Sequence, residues 1–278
     1  MQFYSYFCAV KKLTDITRPI TTELAQFEDY LEQILRAETE PMDNIMRYVG
    51  ETKGKRLRPT LVLLSAKLFG EVNEQTLRAA TFVEMVHTAT LIHDDVVDDS
   101  DQRRGRASVK SQFGHLSAVL AGDYLLAKAM LLLSQPADST ILQEMLHTTT
   151  AMSEGELIQG YRSLSPELVE GSKGRPEDLY LDIITRKTAL LMCSCCVAGA
   201  LSVHATLEQV QQISDFGLDF GLLFQLRDDL LDGENVEQAQ ALLPSYYEKT
   251  LRALDGFGTN KIAETLRDLT VFCAEREG

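Results

Sequence analysis

Two acidic clusters, each closing an apolar helical run, constrain the fold more than any other feature of the chain. The first is Asp94-Asp95-Val96-Val97-Asp98, part of a stretch in which five aspartates fall within eight residues. The second, Asp228-Asp229-Leu230-Leu231-Asp232, repeats the same D-D-x-x-D arrangement far downstream. On a helix, Asp94 and Asp98 share a face one turn apart. Like charges at that spacing repel by roughly 0.2–0.5 kcal/mol per pair, so a positive partner is expected. Carboxylates clustered without His or Cys ligands suit a hard cation such as Mg²⁺, which binds through a few carboxylates plus substrate phosphates. Two such helix ends can face each other across a cavity and hold metal ions between them.

Apolar residues recur at spacings of three and four almost throughout, and alternating strand patterns are scarce. The chain reads as all-α. Helices are expected near 20–36, 41–51, 57–69, 74–97, 107–134, 139–161, 176–202, 206–231, 235–256 and 260–276. Thr22 and Asn73 precede glutamates and serve as candidate caps. Breaks are expected at Gly50, Gly70, Pro136 and Gly258, and the clearest loop runs from Ser163 to Pro176. Leu61–Leu68, Ala118–Leu133 and Ala189–Leu201 are apolar nearly all round. Helices of that kind are buried by neighbours on every side, which predicts one bundle with a cavity along its axis.

The charge balance, 27 Lys+Arg against 41 Asp+Glu, disfavours a nucleic-acid partner. Small phosphorylated ligands stay open, because a metal ion reverses the local field. Three of five cysteines (Cys193, Cys195, Cys196) crowd one apolar helix; with Cys8 and Cys273 they read as small core residues of a reducing cytosol. Charges or glycines break the apolar runs, so no membrane span is expected. Residues 1–10 lack the basic and apolar regions of a signal peptide, and a cytoplasmic location is expected.

Cations gather in three places. Gly54-Lys55-Arg56-Leu57-Arg58-Pro59 stands at a helix entrance, where it suits a diphosphate or is simply a solvated basic turn. Arg103-Arg104-Gly105 follows the first cluster and either takes ligand oxygens that a metal leaves free or balances the aspartates. Arg186-Lys187-Thr188 opens an apolar helix, where a buried-facing lysine calls for an anion. His87 lies two turns before Asp94, either a satisfied core residue or a donor to a phosphate; His93 has no specific role. Gln225, three residues before Asp228, could aim its amide oxygen at a developing positive charge.

Taken together, these pieces resemble the trans-isoprenyl diphosphate synthase (polyprenyl synthetase) family. The matching segments are Gly54–Pro59, Glu84-Met85-Val86-His87, Asp94–Asp98, Arg103–Gly105, Gly122-Asp123-Tyr124-Leu125, Glu154-Gly155-Glu156-Leu157, Lys187-Thr188 and Phe224–Asp232, in the family's order. The resemblance implies a single domain over 1–278, an isoprenoid-synthase-like bundle around a deep apolar pocket, and a homodimer. It implies head-to-tail condensation of an allylic diphosphate (geranyl, farnesyl or geranylgeranyl) with isopentenyl diphosphate. By the same resemblance Asp94, Asp95, Asp98, Asp228, Asp229 and Asp232 hold Mg²⁺, three ions with substrate bound. Arg103, Lys187, Thr188 and Gln225 attend the allylic group and its cation. Lys55, Arg58, His87 and Arg104 bind isopentenyl diphosphate. Asp94, Asp95, Asp98, Lys187, Gln225 and Asp228 are the expected catalytic set.

In this family the residues four and five before the first aspartate set product length. Here they are Thr90 and Ala89, both small, so an open floor and a geranylgeranyl or longer product are expected. A long product could pass to a membrane. One departure stands out: Asp232 runs through Gly233-Glu234-Asn235 directly into late helices, without the family's lysine-bearing segment. That departure keeps a second reading open, a non-catalytic or regulatory subunit of a heteromeric prenyl diphosphate synthase. A terpene cyclase is disfavoured by the second D-D-x-x-D and the paired arginines. The plainest alternative is a bundle whose acidic clusters are solvated helix ends.

Overall fold

The structure, a computed structural model, describes residues 11–164 and 176–276. Its elements are α1 (Leu13–Ile16), α2 (Thr21–Leu35), α3 (Glu40–Glu51), α4 (Leu57–Phe69), α5 (Glu74–Val97), β1 (Gln102–Arg103), β2 (Arg106–Ala107), α6 (Val109–Phe113), α7 (His115–Leu132), α8 (Ser139–Leu164), α9 (Pro176–Ile184), α10 (Leu190–Ser202), α11 (Leu207–Asp232), α12 (Val236–Ala253) and α13 (Lys261–Glu275). A π-helical turn, Thr185–Ala189, joins α9 to α10.

Both helices that carry the aspartates are set by their caps. Asn73 opens α5 with a capping box: its Oδ1 accepts from Thr76 N (3.1 Å), and its own N–H donates to Thr76 Oγ1 (3.3 Å). Thr206 does the same for α11 with Gln209. At the far ends, Asp98 caps α5 and donates its N–H to Asp94 O, while Gly233 closes α11 at φ 74°. The clusters therefore stand on the last turns of their helices, where the backbone carbonyls add negative potential.

α10 is the centre of the bundle, packed against α4, α5, α8 and α11. Every residue from Leu191 to Ala200 is buried, as the all-round apolar pattern requires. α4 is likewise buried from Pro59 to Ala66. Against α11, Gly221 permits the closest approach, since a Cβ there would lie 2.5 Å from Ala189 Cα. This contact seats the π-helical turn directly on α11.

Several expectations are corrected. The helix expected over 107–134 breaks at Gly114 and is preceded by a hairpin. Arg104 (φ 51°) and Gly105 (φ 76°) form its two-residue turn; paired left-handed residues match strand twist, and Gly carries the second without strain. Thr22 is no cap, because α2 begins at Thr21 after a 3₁₀ turn with Ile20 in the N-cap position. Gly50 lies inside α3. The 176–202 helix is interrupted at Thr185–Ala189. Most of the expected Ser163–Pro176 loop, and Cys8, lie outside the described residues.

α7 departs furthest from expectation. Ala118, Ala121, Gly122, Leu125 and Ala129 are buried, yet Leu116 (74% exposed), Leu120 (50%) and Leu131 (71%) face outward. By length and composition two helical stretches, His115–Leu132 and Asp178–Ser202, would suffice to cross a membrane, contrary to the expectation of none. The second is 78% buried, as a core helix of the bundle is.

Candidate active site

One large cavity, about 1260 Å³, opens between α4, α5, α8, α11 and α13. Asp94 and Asp228 both line it, so the two acidic helix ends meet over one space. Leu91, Leu126, Met152, Leu157 and Phe224 supply an apolar wall. Lys55, Arg58, His87, Thr90, Arg104, Lys187, Thr188 and Gln225 line the same cavity.

The cationic turn before α4 is shaped by a strained residue. Arg56 sits at φ 52° in the N-cap position and would not adopt it unaided. Its guanidinium is fixed by Glu28 (2.7 and 3.3 Å) and by Glu84 (2.6 Å), the latter almost fully buried. Arg58, two residues on, has a buried Nε with no hydrogen-bond partner among the described residues. A buried guanidinium donor with nothing to bind calls for an acceptor. Burial and then the neighbouring Arg58, Arg104 and Arg103 hold His87 well below its ordinary value, so its ring is neutral at neutral pH.

Across the cavity the π-helical turn presents Lys187 and Thr188. Lys187 Nζ lies 2.7 Å from Glu156 Oε2 and donates to Gln159 Oε1 at 3.1 Å. The Thr188 hydroxyl donates to Gln225 Oε1 at 2.8 Å, and Gln225 Nε2 donates to Asp229 Oδ1 at 2.7 Å. The amide oxygen of Gln225 is thus already engaged, which corrects the expectation that it aims freely into the pocket. Local π geometry is common at functional sites; here the extra residue brings Thr188 onto the Gln225 face.

The six aspartates divide. Asp94 is pushed up to about 6 by burial first, then by Glu156 and Asp98, against Lys187 and Arg103. Asp228 is also raised, by burial and by Asp232 and Asp229, against Arg276 and Lys55. Both are half-desolvated carboxylates whose charged forms lack sufficient positive charge. Asp95 is buried and accepts from Arg103 Nε (2.9 Å) and Nη2 (2.6 Å). Asp229 is buried and accepts from Tyr180 (2.6 Å) and Gln225. Asp98 and Asp232 are exposed at the helix ends. The cavity wall therefore takes one aspartate from each cluster; Asp95, Asp98, Asp229 and Asp232 stand off it, as does Arg103, which is spent on Asp95. Ala89 is fully buried in the core rather than at the cavity wall, because it points about 100° away from Thr90 on α5.

Among the described residues no three acidic, His or Cys groups converge on one point. The donor set still fits a magnesium-type ion, which uses one or two carboxylates and completes its shell with water and phosphate oxygens. Of the cysteines, Cys273 lines the cavity, and Cys193, Cys195 and Cys196 do not. Cys193, Cys195, Cys196 and Cys273 are buried free thiols, with burial raising all four.

Sequence reasoning missed two features. Glu156 was visible within a matching segment, but its pairing with Lys187 beside Asp94 crosses from α8 to the π-helical turn and leaves no local trace. Arg276, the C-cap of α13, lines the cavity and lies 2.6 Å from Asp228 Oδ1; nothing in its surroundings in the sequence marks it.

A family model for polyprenyl synthetases matches residues 39–240. The chain is 38% identical over 185 residues to octaprenyl diphosphate synthase of Haemophilus influenzae, covering 66% of this chain and 54% of that protein. It is 34% identical over 219 residues to all-trans-nonaprenyl-diphosphate synthase of Rhodobacter capsulatus, covering 78% and 65%. The chain thus spans less than two thirds of the length of these curated relatives. In structure it is similar to polyprenyl synthase from Caulobacter crescentus, determined with calcium and isoprenyl diphosphate (TM-score 0.86, 26% identity, 97% of this chain and 99% of that one). It is also similar to a decaprenyl diphosphate synthase from Rhodobacter capsulatus (TM-score 0.83, 26% identity, 96% and 100%). The helical bundle, its two acidic helix ends over one apolar cavity and these matches agree: the chain belongs to the polyprenyl synthetase family.

Proposed function

We propose that the protein is a prenyltransferase that joins an allylic diphosphate to isopentenyl diphosphate, head to tail, giving a medium- or long-chain all-trans polyprenyl diphosphate. The observation that carries this is the meeting of Asp94, Asp228 and Arg58, whose buried Nε has no partner among the described residues, on one apolar cavity. Asp94 and Asp228, with the exposed Asp98 and Asp232 one turn on along the same helix ends, would hold Mg²⁺, which supplies positive charge to the departing diphosphate oxygens. Lys187 adds a cation on the allylic side.

Breaking the allylic C–O bond leaves a carbocation and diphosphate. The apolar wall of Leu126, Met152 and Phe224 excludes water that would quench it. Thr188 and Gln225 offer dipoles without a free nucleophilic charge. The isopentenyl double bond, oriented by Lys55, Arg58 and Arg104, attacks the cation, and the released diphosphate takes the final proton. Asp95 and Asp229 act as positioning groups for Arg103 and Gln225. Four buried thiols suit a reducing compartment such as the cytosol.

The decisive experiment incubates the purified protein with Mg²⁺, an allylic diphosphate and labelled isopentenyl diphosphate, resolving products by length. Chain growth is expected; no incorporation would favour the reading as a non-catalytic subunit. Product length supplies a second check. The cavity exceeds the roughly 300–1,000 Å³ of most small-molecule sites, and Thr90, not Ala89, faces it. Thr90→Phe should shorten the longest product, whereas an unchanged distribution would remove Thr90 from the floor.

His87 gives a pH signature. Its folded pKa is depressed, so it disfavours the protonated form, and stability linked to it falls as pH drops below about 6.5. A diphosphate beside the ring reverses this balance. Binding between about pH 5 and 7 should then take up a proton, measured by calorimetry in buffers of different ionisation heat; equal heats after buffer correction, or the same uptake in His87→Gln, would contradict it.

A homodimer is proposed from α7, whose Leu116, Leu120 and Leu131 form an outward apolar face on a helix that also borders α5. Light scattering should give twice the chain mass, and Leu120→Glu should lower it to the monomer. A monomeric unmodified chain would exclude the dimer.

A further inference from the structure

Four buried side-chain polar atoms lack a hydrogen-bond partner among the described residues: Arg58 Nε, Ser65 Oγ, Thr81 Oγ1 and Arg276 Nε. Two of these are guanidinium donors of residues that line the same cavity. Arg58 belongs to the anion site already described; Arg276 does not. Its side chain is only 11% exposed, and its Nη2 donates to Asp228 Oδ1 at 2.6 Å. The guanidinium carbon lies over the Phe224 ring, 4.2 Å from its centre, a cation–π contact. The backbone beneath it is pinned, because Arg227 donates twice to Arg276 O, at 3.1 and 2.6 Å. α13 is thereby tied to α11 at the second acidic cluster.

The charges around that cluster leave Arg276 a specific task. No Lys, Arg or His follows Asp228 until Lys249, and Lys249 sits over the Tyr246 ring. Asp228, Asp229 and Asp232 therefore depend on cations brought from elsewhere, and Arg276 supplies one in direct contact. A divalent ion on Asp228 competes with this guanidinium for the same carboxylate. Once displaced, the fork remains in the cavity, with donors suited to two oxygens of a phosphate.

We propose that Arg276 is an exchangeable counter-ion: it holds Asp228 until a divalent cation takes that carboxylate, and then binds the diphosphate that the cation brings. The inference rests on the diphosphate reading above. It predicts opposite effects on two equilibria, which a purely structural arginine would not produce. In Arg276→Gln, Mn²⁺ binding without diphosphate, followed by electron paramagnetic resonance, should tighten about threefold, as loss of a competing ion pair allows. Binding of inorganic diphosphate in the presence of Mg²⁺, followed by calorimetry, should weaken about tenfold. Arg276→Lys keeps the charge but not the fork, and should shift both constants in the same directions by less; it serves if the Gln variant does not fold. Movement of both constants in one direction, or of neither, overturns the assignment. If the unmodified protein itself does not bind Mg²⁺ and diphosphate, the functional reading fails along with it; if it binds and the variants match it, only Arg276 is reassigned.

Discussion

Asp94→Asn and Asp228→Asn should each lower kcat/KM for chain growth by about 10²–10³, with the fold intact or firmer in Asp94→Asn. The two effects have one origin. Each carboxylate is half-buried, pressed by like charges and raised above its ordinary value. A raised carboxyl is one whose charged form the fold disfavours: its contribution weakens stability as pH rises through about 6 for Asp94. Replacing Asp94 by a neutral amide of the same shape relieves Glu156 and Asp98, whereas at Asp228 the relief of Asp232 and Asp229 is offset by loss of the Arg276 ion pair. Activity falls because the amide no longer offers a charge to a cation or, through it, to the leaving diphosphate. Thermal melting and product formation measured on the same preparations test this pairing. A variant that lost activity and melted markedly earlier would show that the aspartate holds the fold rather than the chemistry. The contrast with Asp95 sharpens the test: that residue pairs with Arg103 in the interior, so Asp95→Asn should destabilise.

The largest stability effect is expected far from the cavity. Asp138 is fully buried just before α8 and accepts from Arg78 Nε at 2.8 Å and Nη2 at 3.2 Å, a fork across from α5. Arg78 is itself buried and also donates to Glu74 at 2.8 Å. Asp138→Ala leaves a guanidinium in the interior without its carboxylate, which costs about 3–5 kcal/mol. For a chain of this size that corresponds to a drop of about 10 °C in Tm. Replacing both partners, as Arg78→Met with Asp138→Leu, should recover most of the loss, because no uncompensated charge remains. Equal destabilisation in the single and double variants would assign the effect to packing instead. Neither variant touches the cavity, so product length should not change.

Much of the bundle was legible because the signals are local. Asn73, expected as a cap, opens α5 through Thr76; the equally local Thr206–Gln209 box that opens α11 was not read from the sequence. The all-round apolar run of α10 could only be a central helix, and it is. The Arg104-Gly105 hairpin was missed because Arg is an uncommon partner for Gly in such a turn. The π-helical insertion at Thr185–Ala189 was missed because one extra residue in a turn barely alters the apolar period. The outward face of α7 was misjudged for a different reason: an apolar pattern states that a face must be covered, not by what.

The sequence by itself determined that the chain is helical, that two helices end in carboxylates, and that cations and apolar runs accompany them. Periodicity, capping and charge spacing act over a few residues, so they can be read in one dimension. Only the tertiary structure decided which aspartates reach the cavity and which are buried against Arg103 or Tyr180, because the rotation of α5 and α11 is set by packing against neighbours. It also decided that Thr90 rather than Ala89 meets the pocket, and that Arg276 pairs with Asp228 across 48 residues. Such partners are chosen by the geometry of the closed bundle, where burial makes each charge answer to whatever lies within a few ångströms rather than to its neighbours in the chain.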